Sequence, residues 1–186
     1  MGVDQRDPPL LRKRRRLGRA GNVVTETAFV LPMLLVFSLA VLEIAFILAE
    51  FHQATEAARR GARAALVGDP IIDLTGLGTG EATCALSGDS VTCTGATLAA
   101  AGSLTAILDE MRAIYPPLSG ANIQVTYKGT GIAAVASGTV ATPLVTVRLV
   151  NLRHDFFALG LIPGSPPGFT FPPFATTRLA PSQAVG

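Results

Sequence analysis

The chain has 186 residues, enough for one modest domain plus accessories, and carries 15 basic and 13 acidic side chains for a net charge of +2. Hydrophobic residues make up 49% and charged residues 15%, a bias that means either a large core or a membrane segment. The overall charge hides an asymmetry: seven basic residues (Arg6, Arg12, Lys13, Arg14, Arg15, Arg16, Arg19) and two acidic ones precede Gly21 for a sum of +5, and the remainder sums to −3. A global pI near 8.8 therefore does not describe the folded part. A basic run can bind nucleic acid. Here a long apolar run follows directly, and positive flanks of such runs stay cytoplasmic, so the leader reads as a topology signal and no nucleic-acid partner is expected.

From Thr27 to Leu42 there is no charge; Glu43 interrupts, and Ile44 to Ala49 continues. This stretch has the length that crosses a hydrocarbon core of ~30 Å as a helix. A secretory signal expects small residues beyond a short apolar region, and Ala45 to Ala49 match that poorly. A pilin-type signal expects cleavage after a glycine ahead of the apolar run, with glutamate five residues on; Gly21, Asn22 and Glu26 stand at that spacing. An uncleaved anchor is the third reading.

Gly21-Asn22-Val23-Val24-Thr25-Glu26, the apolar run to Pro32, a second glutamate at Glu43, Gln53 and Ala57-Ala58-Arg59-Arg60-Gly61-Ala62-Arg63-Ala64-Ala65 together resemble the opening of TadE-like proteins of the tight-adherence (Tad) pilus system. The resemblance is close from Gly21 to Val67 and holds only in outline beyond. It implies processing at Gly21 by a membrane prepilin peptidase, and a minor-pilin or pseudopilin role in assembling the fibre. The partners it implies are other pilins or pseudopilins and the Tad secretion machinery, with the chain single-pass in the bacterial inner membrane, N-terminus cytoplasmic and C-terminal domain periplasmic.

Cleavage leaves a new α-amino group on Asn22, costly near lipid unless paired. Glu26 lies about 6 Å further along the helix and is positioned to neutralise the amine of a neighbouring subunit and set axial register. Glu43 lies about 31 Å from Asn22, at the outer interface, as an interfacial carboxylate or a second register contact with a partner helix. Pro32 lacks an N–H and is expected to kink or loosen the helix. Past Glu50 the pattern becomes amphipathic, with Phe51, Ala54, Ala57, Ala58, Gly61 and Ala65 on a small-residue face that suits packing on the chain's own sheet or on neighbouring pilins. The expected organisation is a leader (1–21), a transmembrane helix (22–49), its amphipathic continuation (50–67) and a periplasmic α+β domain (68–186): a pilin-like long helix on a small antiparallel sheet with one further helix.

In that domain, 71–80 reads as loop, and its glycines lack the lysine of a phosphate-binding loop. Residues 82–94 read as a hairpin around Gly88-Asp89, which puts Ser87 opposite Ser90, Leu86 opposite Val91, and Cys84 opposite Cys93 in a non-hydrogen-bonded pair about 4.5 Å apart. In an oxidising periplasm this predicts a disulfide; without CxxC spacing or companion ligands, a redox pair or a metal site is the weaker reading. Apolar residues at Leu98, Ala101, Leu104, Leu108, Met111 and Tyr115 predict a helix, firmest over 103–114 and ended by Pro116-Pro117. Ile123, Val125 and Tyr127, and Val145, Val147 and Leu149, predict two antiparallel strands joined by a long small-residue loop. The tail from Pro163 reads as extended edge or loop, with Phe169, Phe171 and Phe174 covering the core. His52, His154-Asp155 and Asp109-Glu110 form no catalytic constellation. No catalytic residue, cofactor, metal or small-molecule substrate is expected, and a membrane-anchored periplasmic binding or sensing module is the rival function.

Overall fold

The structure is a computed structural model that describes residues 11–88, 90–131, 133–134, 140–161 and 163–180, with backbone alone for residues 11–22, 133–134, 140–141 and 161. The expected turn residue Asp89 and the leader residues before Leu11 lie outside the described residues. The fold is α+β. One helix, α1 (Leu11–Val67), is followed by a hairpin of β1 (Glu81–Ser87) and β2 (Ser90–Thr94), a second helix α2 (Ala101–Arg112), and strand β3 (Ile123–Lys128). Then come a small ribbon of β4 (Ala133–Ala134) and β5 (Val140–Ala141), strand β6 (Leu144–Leu149), a short pair of β7 (Arg153–Asp155) and β8 (Gly168–Thr170), and strand β9 (Phe174–Leu179).

α1 begins eleven residues before the expected Asn22. Leu, Lys and Arg are good helix formers, and between Leu11 and Asn22 only Gly18 and Gly21 weaken the run, by about 1 kcal/mol each relative to alanine. The helix continues as one element through Pro32. In its apolar half the hydroxyls of Thr27 and Ser38 donate to the carbonyls of Val23 and Leu34 at 2.9 and 2.8 Å, so neither is left unsatisfied away from water. The helix stops where Gly68, Asp69 and Pro70 follow, with the Gly68 N–H donating to the Ala64 carbonyl.

The main sheet is antiparallel, in the order β2-β1-β3-β6-β9. Its alternation is regular: Ala82, Cys84 and Leu86, then Ile123, Val125 and Tyr127, then Val145, Val147 and Leu149 point into the core, where α1 and α2 cover them. The opposite face is lined across all five strands by Thr94, Thr83, Thr126, Thr146 and Thr177, which share one register row. Hydroxyl contacts of 3.0 Å (Thr83–Thr126) and 2.8 Å (Thr146–Thr177) join neighbours in that row.

α1 reaches the sheet and α2 through its small side chains. Ala54, Ala57, Ala58, Ala62 and Ala65 are buried, as is Gly61, where an added Cβ would collide with the Met111 sulfur. From α2, Leu104, Ile107, Leu108 and Met111 enter the core, while Ala101 and Leu98, both expected there, are exposed; Ile107 is one the periodicity did not supply. The expected loop 71–80 also contributes core: Ile71 and Ile72 are fully buried, and the Ile71 N–H donates to the Tyr127 hydroxyl at 3.3 Å. The proline-rich tail provides a full edge strand, β9, paired with β6. Phe171 and Phe174 are buried, whereas Phe169 is half-exposed and stands edge-on to Phe171.

Cys84 and Cys93 are disulfide-bonded across the hairpin, Cα atoms 4.1 Å apart, in the expected register. Gly88 has φ +63°, the left-handed value that the first position of a primed two-residue turn needs. Closing so short a loop stabilises by about 2–3 kcal/mol in the chain-entropy account. Reducing the bond in folded protein is therefore expected to lower unfolding stability by about that amount without loss of secondary structure, read by denaturant titration with and without reductant.

Burial pushes the Tyr127 phenol above the ordinary tyrosine range, against the lowering effect of the Ile71 N–H; burial, helped by the Glu50 carboxylate, does the same at Tyr115. The unfolded chain then loses these protons first. Their contribution to stability is complete below about pH 10 and drains away as pH rises from there through the folded-state values. A Tyr127→Phe variant is expected to show a shallower alkaline limb than the parent in stability-versus-pH measurements.

Candidate functional site: the carboxylates of the long helix

Between Val23 and Val67, α1 is long and apolar enough to cross a membrane, and only 6% of its most hydropathic window is buried within the protein. A helix serving as the core of a water-soluble globule would be mostly covered; here Phe29, Leu31, Met33, Leu34 and Phe37 stand open on an otherwise unoccupied rod.

Of the four carboxylates on the helix, Glu56 pairs with Arg59 at 3.4 Å on the exposed side, and the other three stand in three different settings. Glu26 is exposed in the first uncovered turns, four residues beyond Asn22, and has no partner among the described residues. Gly21 and Asn22 lie within the helical backbone just ahead of it. Glu50 is half-buried and bonds the His154 Nδ1 at 2.9 Å.

Glu43 is the departure from expectation. It is neither an interfacial carboxylate facing water nor open to a partner helix, being 4% exposed. One oxygen accepts from the backbone N–H groups of Phe157 and, at 3.3 Å, Ala158; the other accepts from Leu159 at 2.8 Å. These amides open the short 3-10 turn Leu159–Leu161, so the carboxylate sits where successive N–H groups converge, a natural anion seat. Glu43 and Glu50 are two helical turns apart on one side of α1, in line with Ile47, Ala54 and Ala57. The β7–β8 unit meets this line at both points, through His154 and through the loop that follows Asp155.

Local structure explains how that loop reaches the helix. Asn151, at φ +56°, turns the chain out of β6; asparagine tolerates this left-handed conformation. The Asn122 side chain holds the corner, its amide donating to the carbonyls of Val150 (3.0 Å) and Asn151 (3.3 Å). At Gly168 a Cβ would lie 2.5 Å from the His154 carbonyl oxygen, so glycine lets β8 close on β7. The aromatic chain Phe51–Phe174–Phe171–Phe169, with ring centroids 5.0, 5.9 and 5.3 Å apart, packs beside it.

The other polar groups lie apart from this line of carboxylates or on the surface. His52 is exposed on α1. Glu110 pairs with Arg60 of α1 at 2.8 Å, and Asp109 with Arg112 at 3.5 Å; both pairs are solvent-exposed and worth at most about 1 kcal/mol each. A surface hollow between α1, α2 and β9 is lined by Glu56, Arg59, Arg60, Arg63, Ile114 and Arg178, a set without a nucleophile and base in hydrogen-bond reach. Among the described residues no three metal-ligating side chains gather.

Comparison with known proteins finds one similarity. Residues 21–63 match the family model described as TadE-like protein. The match lies wholly on α1: it opens at Gly21, takes in Glu26, Glu43 and Glu50, and ends within the small-residue face. No curated protein and no solved structure matches the chain.

Replacing Glu43 by alanine would orphan the Phe157, Ala158 and Leu159 amides and is expected to cost roughly 2–3 kcal/mol of loop docking. Amide hydrogen exchange at Phe157 and Leu159 should accelerate roughly 30- to 150-fold in that variant, and less in Glu43→Gln, which keeps an acceptor oxygen.

Proposed function

On the strength of its TadE-like helix we propose that this chain is a Tad-pilus-related, single-pass membrane subunit: a minor pilin or pseudopilin, cut after Gly21 by a prepilin peptidase and needed to assemble the fibre rather than to catalyse a reaction. The reading rests on one observation. A glycine followed five residues later by an exposed glutamate, unpartnered among the described residues, stands at the head of an uncovered apolar helix, inside the family match at residues 21–63.

The chemistry supports a division of labour among the carboxylates. A cut at Gly21 creates an ammonium on Asn22 at the edge of hydrocarbon, where an unpaired charge is costly. Glu26, open on the first turns, suits the neutralisation of a neighbouring subunit's amine and so the setting of axial register. Glu43, whose oxygens already take backbone N–H groups of their own chain, supports the fold and leaves the register role to Glu26. Gly18 and Gly21 make the turn around the junction the weakest of the leader, which helps a peptidase open it. Prepilin peptidase, other pilins or pseudopilins and the Tad secretion machinery are the partners of this scheme. It puts the leader in the cytoplasm, the helix in the inner membrane and the sheet in the periplasm.

The rival is an uncleaved anchor carrying a periplasmic binding or sensing module. It draws on the course of α1, which runs unbroken through Gly21 back to Leu11.

Intact-mass analysis of protein extracted from membranes that contain active prepilin peptidase separates the two. A mature chain starting at Asn22, lost in a Gly21→Val variant, is the expected result; a chain that keeps its leader supports the anchor. Glu26→Ala should still insert in the membrane but enter fibres at a small fraction of the parental level, and undiminished piliation by that variant would remove the register role.

A further inference from the structure

We propose that the loop Phe156–Leu159 is a membrane foot: it seats Phe157 in the lipid interface of the bilayer that α1 crosses, on the side where the sheet lies, and so fixes the sheet's tilt on the membrane. The proposal rests on α1 being membrane-spanning and adds a second, non-helical contact with lipid.

Three observations carry it. First, Phe157 is 81% exposed although its own backbone N–H is held by Glu43; a large aromatic side chain is pinned by its main chain and offered outward. Second, Glu43 lies twenty residues beyond Val23, a rise of about 30 Å, which is the thickness of the hydrocarbon core. The loop therefore meets the helix at the far hydrocarbon boundary, at a residue flanked in sequence by the exposed Val41, Leu42 and Ile44. Third, the chain changes character at this level. Arg153 and Asp155, paired at 2.7 Å and solvent-exposed, immediately precede Phe156-Phe157-Ala158-Leu159, which has no charge.

The Glu43 seat is intelligible in these terms. A carboxylate at the edge of the hydrocarbon is costly unless paired. A non-helical loop at the same depth is costly unless its N–H groups find acceptors. Each satisfies the other, removing both penalties at one place. In open water neither group would need the other, since water would serve both.

The chain contains no tryptophan, so Phe157→Trp gives a single reporter, and the exposure of the parent side chain means the larger ring meets no packing neighbour it must displace. The full chain is reconstituted at low density in phosphatidylcholine vesicles, alongside a Phe37→Trp variant that reports on the span itself. The expected result is that the foot variant, Phe157→Trp, loses most of its indole emission to lipid brominated near the carboxyl end of the acyl chains, and little to aqueous iodide. The span variant, Phe37→Trp, is then quenched by lipid brominated deeper. Quenching of the foot variant by iodide and not by brominated lipid, with the span variant still lipid-quenched, overturns the foot and leaves the span standing. Iodide quenching of both variants removes the span and the foot with it. Shielding of the foot variant from both quenchers that develops only as protein density rises assigns the surface to a second copy and also overturns the proposal.

Discussion

One rod has to serve two surroundings, and most of the architecture follows from how α1 manages that. Between Thr27 and Leu42 it presents apolar side chains nearly all round, a pattern that suits lipid and not water. Its C-terminal half presents alanines and a glycine on one side, so that a sheet and a second helix approach its backbone closely, and arginines and Glu56 on the other. The two regimes overlap between Leu39 and Phe51. There one line of the helix is covered by the β7–β8 unit and Phe174, while Val41, Leu42, Ile44, Phe46 and Leu48 remain open.

In that overlap the polar side chains are solved locally. Glu43 takes backbone amides and Glu50 takes a histidine, both from a segment more than a hundred residues further along the chain. These contacts explain why so much of the chain after β6 is spent on short strands and turns. Its task is to carry a loop back to the helix at the point where the helix leaves its uncovered stretch, and Asn151, Asn122 and Gly168 shape the path.

Parts of this were legible in the sequence because the information was local. The hairpin register around Gly88 and the inward faces of β3 and β6 follow from a two-residue period and a turn, and they stand in the structure as read. The small-residue face of α1 follows from helical period, and the structure turns it toward the chain's own sheet and α2. Ile71 and Ile72 were hidden by the glycines and aspartates around them, which signal loop while saying nothing about burial. The prolines before β9 left the tail open between extended edge and loop, and the structure has the edge strand. The partner of Glu43 was not readable, since an acceptor for main-chain N–H groups carries no side-chain signature at the donor's end. The start of α1 lies ahead of the expected Asn22 because the residues before it, rich in leucine, lysine and arginine, are themselves good helix formers.

The position of β9 has a consequence for biogenesis. Synthesis delivers the chain from the N-terminus onward, so α1 emerges before anything that covers it, and β9 follows every other strand. Until residues 174–179 arrive, the outer edge of β6 has no hydrogen-bonding neighbour and Phe51 lacks the ring it packs on. The nascent protein therefore passes through a stage in which a bilayer-seeking rod is already committed while its sheet stays one strand short. During that interval an accessory factor that shields an open strand edge would have its greatest effect.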